Sequence, residues 1–192
     1  MNMKKVCMAA VMVAGGTLGG YAQQAGGVSV KLRGQEVKLS GTLPVVGAEA
    51  PDFTGVDGSL ADVSLNGFRG KRVVLNIFPS LDTPTCALSV RQFNQMAASL
   101  PNTVILAVSM DLPFAQKRFC SVEGIENVVP LSVFRNPEFA ERYGVLQVSG
   151  PLHGLLARAV VVVGADGKVE YTQLVGEISE EPDYKAVMEA LK

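Results

Sequence analysis

The chain has 192 residues, with 17 basic and 18 acidic side chains and a formal net charge of −1. That balance argues against a nucleic-acid groove or a polybasic membrane surface, and 48% apolar with 18% charged residues argues against disorder. A single histidine, His153, and three cysteines, Cys7, Cys86 and Cys120, are too few for a zinc finger, a two-histidine zinc site or a cysteine-ligated iron–sulfur cluster.

Lys4 and Lys5 precede an apolar run, and small residues follow it as far as Ala22. This is the shape of a secretory signal peptide spanning 1–22, cleaved after Ala22. The run is too short and too broken by glycine to span a membrane. Cleavage leaves one domain, 23–192, exported to a periplasmic or extracytoplasmic space; an uncleaved chain would stay in the cytoplasm. Two cysteines then remain, Cys86 and Cys120, an even count in an export context.

Val28–Leu39 alternates apolar and polar residues around Arg33-Gly34-Gln35, the pattern of a short hairpin. Gly41–Pro51 reads as a connecting loop, and Asp57-Gly58 as a turn. Val73–Phe78 is an apolar strand ended by Pro79. Thr83 then reads as an N-cap with Pro84 at the first helical position. Ala87, Val90, Phe93, Ala97 and Leu100 recur at helical steps. Thr103–Ser109 is a second buried strand. Asp111-Leu112-Pro113 opens a short helix ending near Cys120. Val128–Phe134 reads as a weaker strand, Glu138–Tyr143 as a helix after Asn136-Pro137, and Ala157–Val163 as a strand. Asp166-Gly167 turns that strand into Lys168–Leu174, and a last helix runs from Glu181-Pro182 to Leu191. Strands alternating with helices, then a hairpin and a terminal helix, imply an α/β fold, a mixed sheet with helices on both faces. The order is that of the thioredoxin-like fold, with the Val28–Leu39 hairpin as an N-terminal extension.

Cys86 lies three residues after the Thr83 cap, in the first turn of its helix. Free amide groups and the positive end of the helix dipole favour a thiolate there, and a nearby arginine adds to the effect. The competing reading is a small buried hydrophobe, the usual fate of a free cysteine. Cys120 ends a short helix, which by itself favours that plainer reading. The two cysteines are 34 positions apart. That separation excludes a C-x-x-C dithiol but allows a disulfide where the Cα atoms approach within about 7 Å. Arg158 interrupts an apolar strand. Burying an unpaired guanidinium is very costly, so it must reach a cleft, an anion or a structural salt bridge. His153 follows Gly150-Pro151 in a surface loop and reads as a solvated side chain.

Pro79-Ser80-Leu81-Asp82-Thr83-Pro84-Thr85-Cys86 resembles the P-x-x-x-T-x-x-C signature of peroxiredoxins. Ala87–Asn94, Asp111–Gln116, Arg118-Phe119-Cys120, Phe134-Arg135-Asn136 and Ala157–Val160 extend the resemblance to the thiol peroxidase subfamily, the atypical two-cysteine class, over roughly Val28 to Lys192. The resemblance implies a peroxidatic Cys86 and a resolving Cys120 that join in an intrachain disulfide. It implies that Thr83 and Arg158 hold the thiolate and the peroxide, and that Pro79 shields them. It implies hydroperoxide substrates, a thioredoxin-like reductant, no metal or organic cofactor, and a homodimer. Two rivals are a thioredoxin-type disulfide oxidoreductase, disfavoured by the missing C-x-x-C, and a non-catalytic module with a structural Cys86–Cys120 bond.

Overall fold

The computed structural model describes residues 27–192; the segment read as a signal peptide, with Cys7, lies outside them. The described part opens with the expected hairpin, β1 (Ser29–Leu32) and β2 (Gln35–Lys38), in which Leu32 faces Gln35 across an Arg33-Gly34 turn. Both turn residues have positive φ, 52° and 80°, the geometry that closes a two-residue hairpin.

A seven-stranded sheet follows, in the order β4-β3-β7-β6-β5-β8-β9. Its strands are β3 (Thr54–Val56), β4 (Asp62–Ser64), β5 (Arg72–Ile77), β6 (Thr103–Ser109), β7 (Val128–Ser132), β8 (Ala159–Val163) and β9 (Val169–Leu174). β5, β6 and β7 run parallel, because a helix carries the chain back after β5 and again after β6. These helices are α1 (Pro84–Ala97) and α2 (Pro113–Glu123). The other pairs, β5–β8, β8–β9, β3–β4 and β3–β7, are antiparallel. The sheet is therefore mixed, as the element order implies.

The central strands are apolar runs because both of their faces are covered. Val73, Leu75 and Ile77 of β5 join Ala159, Val161 and Val163 of β8 in one apolar layer. That layer also takes in Val30 and Val37 of the hairpin and Phe139, Ala140 and Tyr143 at α3 (Glu138–Arg142). Val74, Val160 and Val162 point the other way, into a layer with Cys86, Val90 and Phe93 of α1 and Val187 of α4 (Tyr184–Ala190). Cys120 packs against this second layer. Because α1 and α2 both cover this layer, both cysteines lie on one side of the sheet.

Several local expectations are revised. The short β3–β4 pair and the 3-10 turn Leu65–Phe68 carry too little apolar periodicity to be read from sequence. α2 continues past Cys120 to Glu123 and stops at Gly124, which adopts the left-handed conformation at φ 65°. β8 starts at Ala159, so Arg158 precedes the strand rather than interrupting it, although its carbonyl still accepts a hydrogen bond from Val175 N at 3.0 Å.

Candidate active site around Cys86 and Arg158

Phe78 and Pro79 leave the sheet at the end of β5, both buried, and Ser80–Thr83 turns the chain into α1. Thr83 is the N-cap and Pro84 the first helical residue, as expected. The Thr83 side chain does not cap the helix. Its Oγ1 donates instead to the Ser80 carbonyl at 3.1 Å, which also accepts from Thr83 N at 3.2 Å. The Thr83 oxygen keeps its own acceptor capacity. Cys86 stands at the third helical position, among the first-turn N–H groups that a helix leaves without partners.

Cys86 is fully buried and does not line the adjoining cavity. Its carbonyl accepts from Ser89 Oγ at 2.9 Å, and Ser89 Oγ in turn accepts from Asn76 Nδ2 at 3.3 Å. Arg158 is 1% exposed. Its Nη2 donates to Cys86 Sγ at 3.2 Å and its Nε to the Ile178 carbonyl at 2.9 Å. No carboxylate pairs with it among the described residues, and its buried Nη1 has no partner. A guanidinium in such a place carries a large desolvation cost unless an anion offsets it. The group positioned to supply that charge is the Cys86 sulfur.

A cavity of about 510 Å³ opens beside these groups. Pro79, Thr83 and Arg158 line it, together with Leu32, Arg33 and Gln35 of the hairpin, Leu152 and Ile178. The expected Pro79, Thr83, Cys86 and Arg158 therefore converge. Cys120 lies elsewhere on the same side of the sheet, half-buried in α2, and both cysteines are free thiols. Burial pushes the Cys120 thiol up from the ordinary cysteine range. His153 is exposed in its loop and takes no part.

A redoxin family model matches residues 45–188. A thiol peroxidase of Mycobacterium tuberculosis is 57% identical over 162 residues, 84% of this chain and 97% of that protein. The chain belongs to the thiol peroxidase family. A second family member, a thiol peroxidase of Corynebacterium glutamicum, is 56% identical over 159 residues, covering 83% of this chain and 96% of its own length. Among solved structures, a peroxiredoxin-like protein from Aquifex aeolicus superposes with a TM-score of 0.81 at 43% identity, over 85% of this chain and 95% of that one. The thioredoxin-like fold is thus established together with the thiol peroxidase family.

Two parts of the site were not anticipated from the sequence. The first is Asp111, whose place before Leu112-Pro113 resembles a helix cap. The N-cap is Leu112, and the Asp111 carboxylate turns instead to the Ser80–Leu81 loop. The second is Glu177, which accepts from Arg33 N and Gly34 N, each at 2.9 Å, and from Ser179 Oγ at 2.6 Å. These bonds, the Ser179 hydroxyl foremost, hold the Glu177 carboxyl down at about 2. They fasten the hairpin tip beside Ile178, the residue that holds Arg158. The partners that tie each acid to the site have no local sequence signal, because Ser80 and Leu81 lie 31 and 30 positions from Asp111 and Arg33 and Gly34 lie 144 and 143 from Glu177.

Proposed function

We propose that this thiol peroxidase family member reduces hydrogen peroxide and organic hydroperoxides to water and alcohols, with Cys86 as the attacking thiolate and Cys120 as its resolving partner. The observation that carries the reading is the Arg158 Nη2–Cys86 Sγ contact at 3.2 Å, made by a buried arginine with no carboxylate partner among the described residues. A fixed cation at the sulfur can meet negative charge there and on the oxygen that departs.

The Cys86 thiolate attacks the terminal oxygen of the hydroperoxide. An S–O bond forms and the O–O bond breaks. Sulfur is oxidised to the sulfenic state, and the alkoxide or hydroxide leaves with the electron pair and takes a proton to become alcohol or water. Thr83 Oγ1 accepts a hydrogen bond from the peroxide. Arg158 faces the charge that develops on the oxygens, with Nη1 as a spare donor. Pro79 walls the sulfur from bulk water. The apolar side chains Leu32, Leu152 and Ile178 accommodate the organic part of a larger substrate. Cys120 then displaces water from the sulfenic acid, giving a Cys86–Cys120 disulfide. A thioredoxin-like dithiol returns both cysteines to thiols and is itself oxidised.

The same reading includes an export signal over 1–22 removed from a 23–192 domain, and a homodimer. Lys4, Lys5 and the apolar run support the first. The exposed Leu112, Phe114 and Phe134 supply apolar surface for the second. No helix among the described residues is long and apolar enough to cross a membrane.

Peptide mapping after one equivalent of hydrogen peroxide tests the chemistry. A Cys86–Cys120 crosslink within one chain, formed in seconds, is expected. Thiol loss no faster than that of free cysteine would leave the structural-module reading standing.

A further inference from the structure

The loop that presents Thr83 and Cys86 is fastened to the start of α2 by a single carboxylate. Asp111 Oδ1 accepts from Ser80 Oγ at 2.7 Å, and Oδ2 accepts from Leu81 N at 2.8 Å and Ser109 Oγ at 2.8 Å. Ser109 Oγ also accepts from Nε2 of the fully buried Gln116, on α2, at 3.1 Å. The Asp111 carbonyl accepts from Ser132 Oγ at 2.5 Å, at the end of β7. Ser80, one of the residues held, offers the carbonyl that binds both Thr83 N and Thr83 Oγ1. Asp111 thus reaches the peroxide-facing hydroxyl through one intervening residue. Farther along the chain, Arg91 of α1 pairs with Glu123 at the end of α2 at 2.7 Å, and Asn94 Oδ1 accepts from Glu126 N and Asn127 N, past that helix, at 3.0 and 2.8 Å. These ties act on the end of α2 and the segment after it, and do not touch the Ser80–Thr83 loop.

Cys86 and Cys120 sit on two different helices, the first fully buried and bonded to Arg158. With Cys86 buried and held by Arg158, we take the bond between them to form by a shift of the first turn of α1 or of the α2 segment. The Asp111 bonds oppose that movement, because they join the Ser80–Leu81 loop to the residue just before the Leu112 cap of α2. Charge-assisted hydrogen bonds of this kind are the stronger ones in proteins.

We propose that Asp111 is a positioning residue with two opposed effects: it holds the Ser80–Thr83 loop in the geometry that receives the peroxide, and by the same bonds it slows the rearrangement that lets Cys120 reach oxidised Cys86. The proposal rests on the reading of Cys86 as attacking and Cys120 as resolving. It makes the dwell time of the sulfenic acid, and so the exposure of Cys86 to further oxidation, a property set by one side chain outside the reacting pair.

Asp111→Asn keeps the shape of the side chain and removes its charge. Quenched-flow mass spectrometry resolves the thiol, sulfenic, disulfide and sulfinic forms of wild type and variant after a pulse of hydrogen peroxide. The variant is expected to form sulfenic acid about tenfold more slowly, the scale of weakening a charged hydrogen bond, to close the disulfide faster, and to give less sulfinic acid at a fixed peroxide excess. Ser80→Ala removes one of the same bonds and should move all three readouts the same way by less. It decides the matter alone if Asp111→Asn does not show a native thermal transition. Both steps slowed together, as general loosening of the fold would produce, overturns the proposal, and so do two unchanged rates. Failure of the wild-type protein to join Cys86 to Cys120 contradicts the underlying reading instead.

Discussion

Arg158 is the residue on which the chemistry depends most heavily. A guanidinium 1% exposed with no carboxylate partner among the described residues is a poor choice for stability alone, since an apolar side chain there would avoid the desolvation cost. It is a good choice for holding a thiolate and for meeting charge on a departing oxygen. Replacing Arg158 with Met should preserve the far-ultraviolet spectrum and slow peroxide reduction by roughly 10²–10³, the scale of losing one preorganised donor. Unchanged second-order kinetics with peroxide would reduce Arg158 to a structural role. The sequence already marked this residue as anomalous, because an arginine beside a run of valines must find a partner. It could not name the Ile178 carbonyl, which holds Nε at 2.9 Å and has no side-chain signature.

At the scale of elements, the N-terminal hairpin is part of the site. Leu32, Arg33 and Gln35 form one wall of the cavity, and Lys31 pairs with the 176–178 segment through Lys31 N to Gly176 O and Ile178 N to Lys31 O, each at 2.7 Å. Glu177 completes the attachment through Arg33 N and Gly34 N. Its carboxyl is depressed to about 2 in the folded protein, against about 4.3 for an unperturbed glutamate. The lowered value fixes the sign: the attachment is fully present above about 4.3 and weakens as pH falls from there toward about 2. Amide exchange at Arg33 and Gly34 should therefore gain relative to the β5 amides over that interval, and Glu177→Gln should show the same excess at neutral pH. Equal protection in wild type and variant would mean that the backbone pairing alone holds the hairpin. The hairpin itself was legible, since alternation around Arg33-Gly34 is a local signal. Its docking on the Glu177 loop was not, because the partners are 144 and 143 positions apart.

At the scale of the whole molecule, the fold sets the two cysteines on one side of the sheet by the logic of its crossovers. Parallel β5, β6 and β7 need crossovers between them, and α1 and α2 are those crossovers. Both pack on the layer that contains Val74 and Ile105, so residues 34 positions apart share one side of the sheet. The long apolar strands and the Thr83-Pro84 helix start were readable because each carries its own period or cap. The β3–β4 edge was not, because its strands are three residues each and owe their form to pairing with each other and with β7. The central claim is that Cys86 attacks and Cys120 resolves within one chain. Its most direct test is the Cys120→Ser protein mixed with hydrogen peroxide and a thioredoxin-type donor. It should consume one equivalent of peroxide at the wild-type rate, stall as a sulfenic acid trapped by dimedone, and lose steady-state turnover. Full turnover of the folded variant, with no trapped sulfenic acid, would contradict the account.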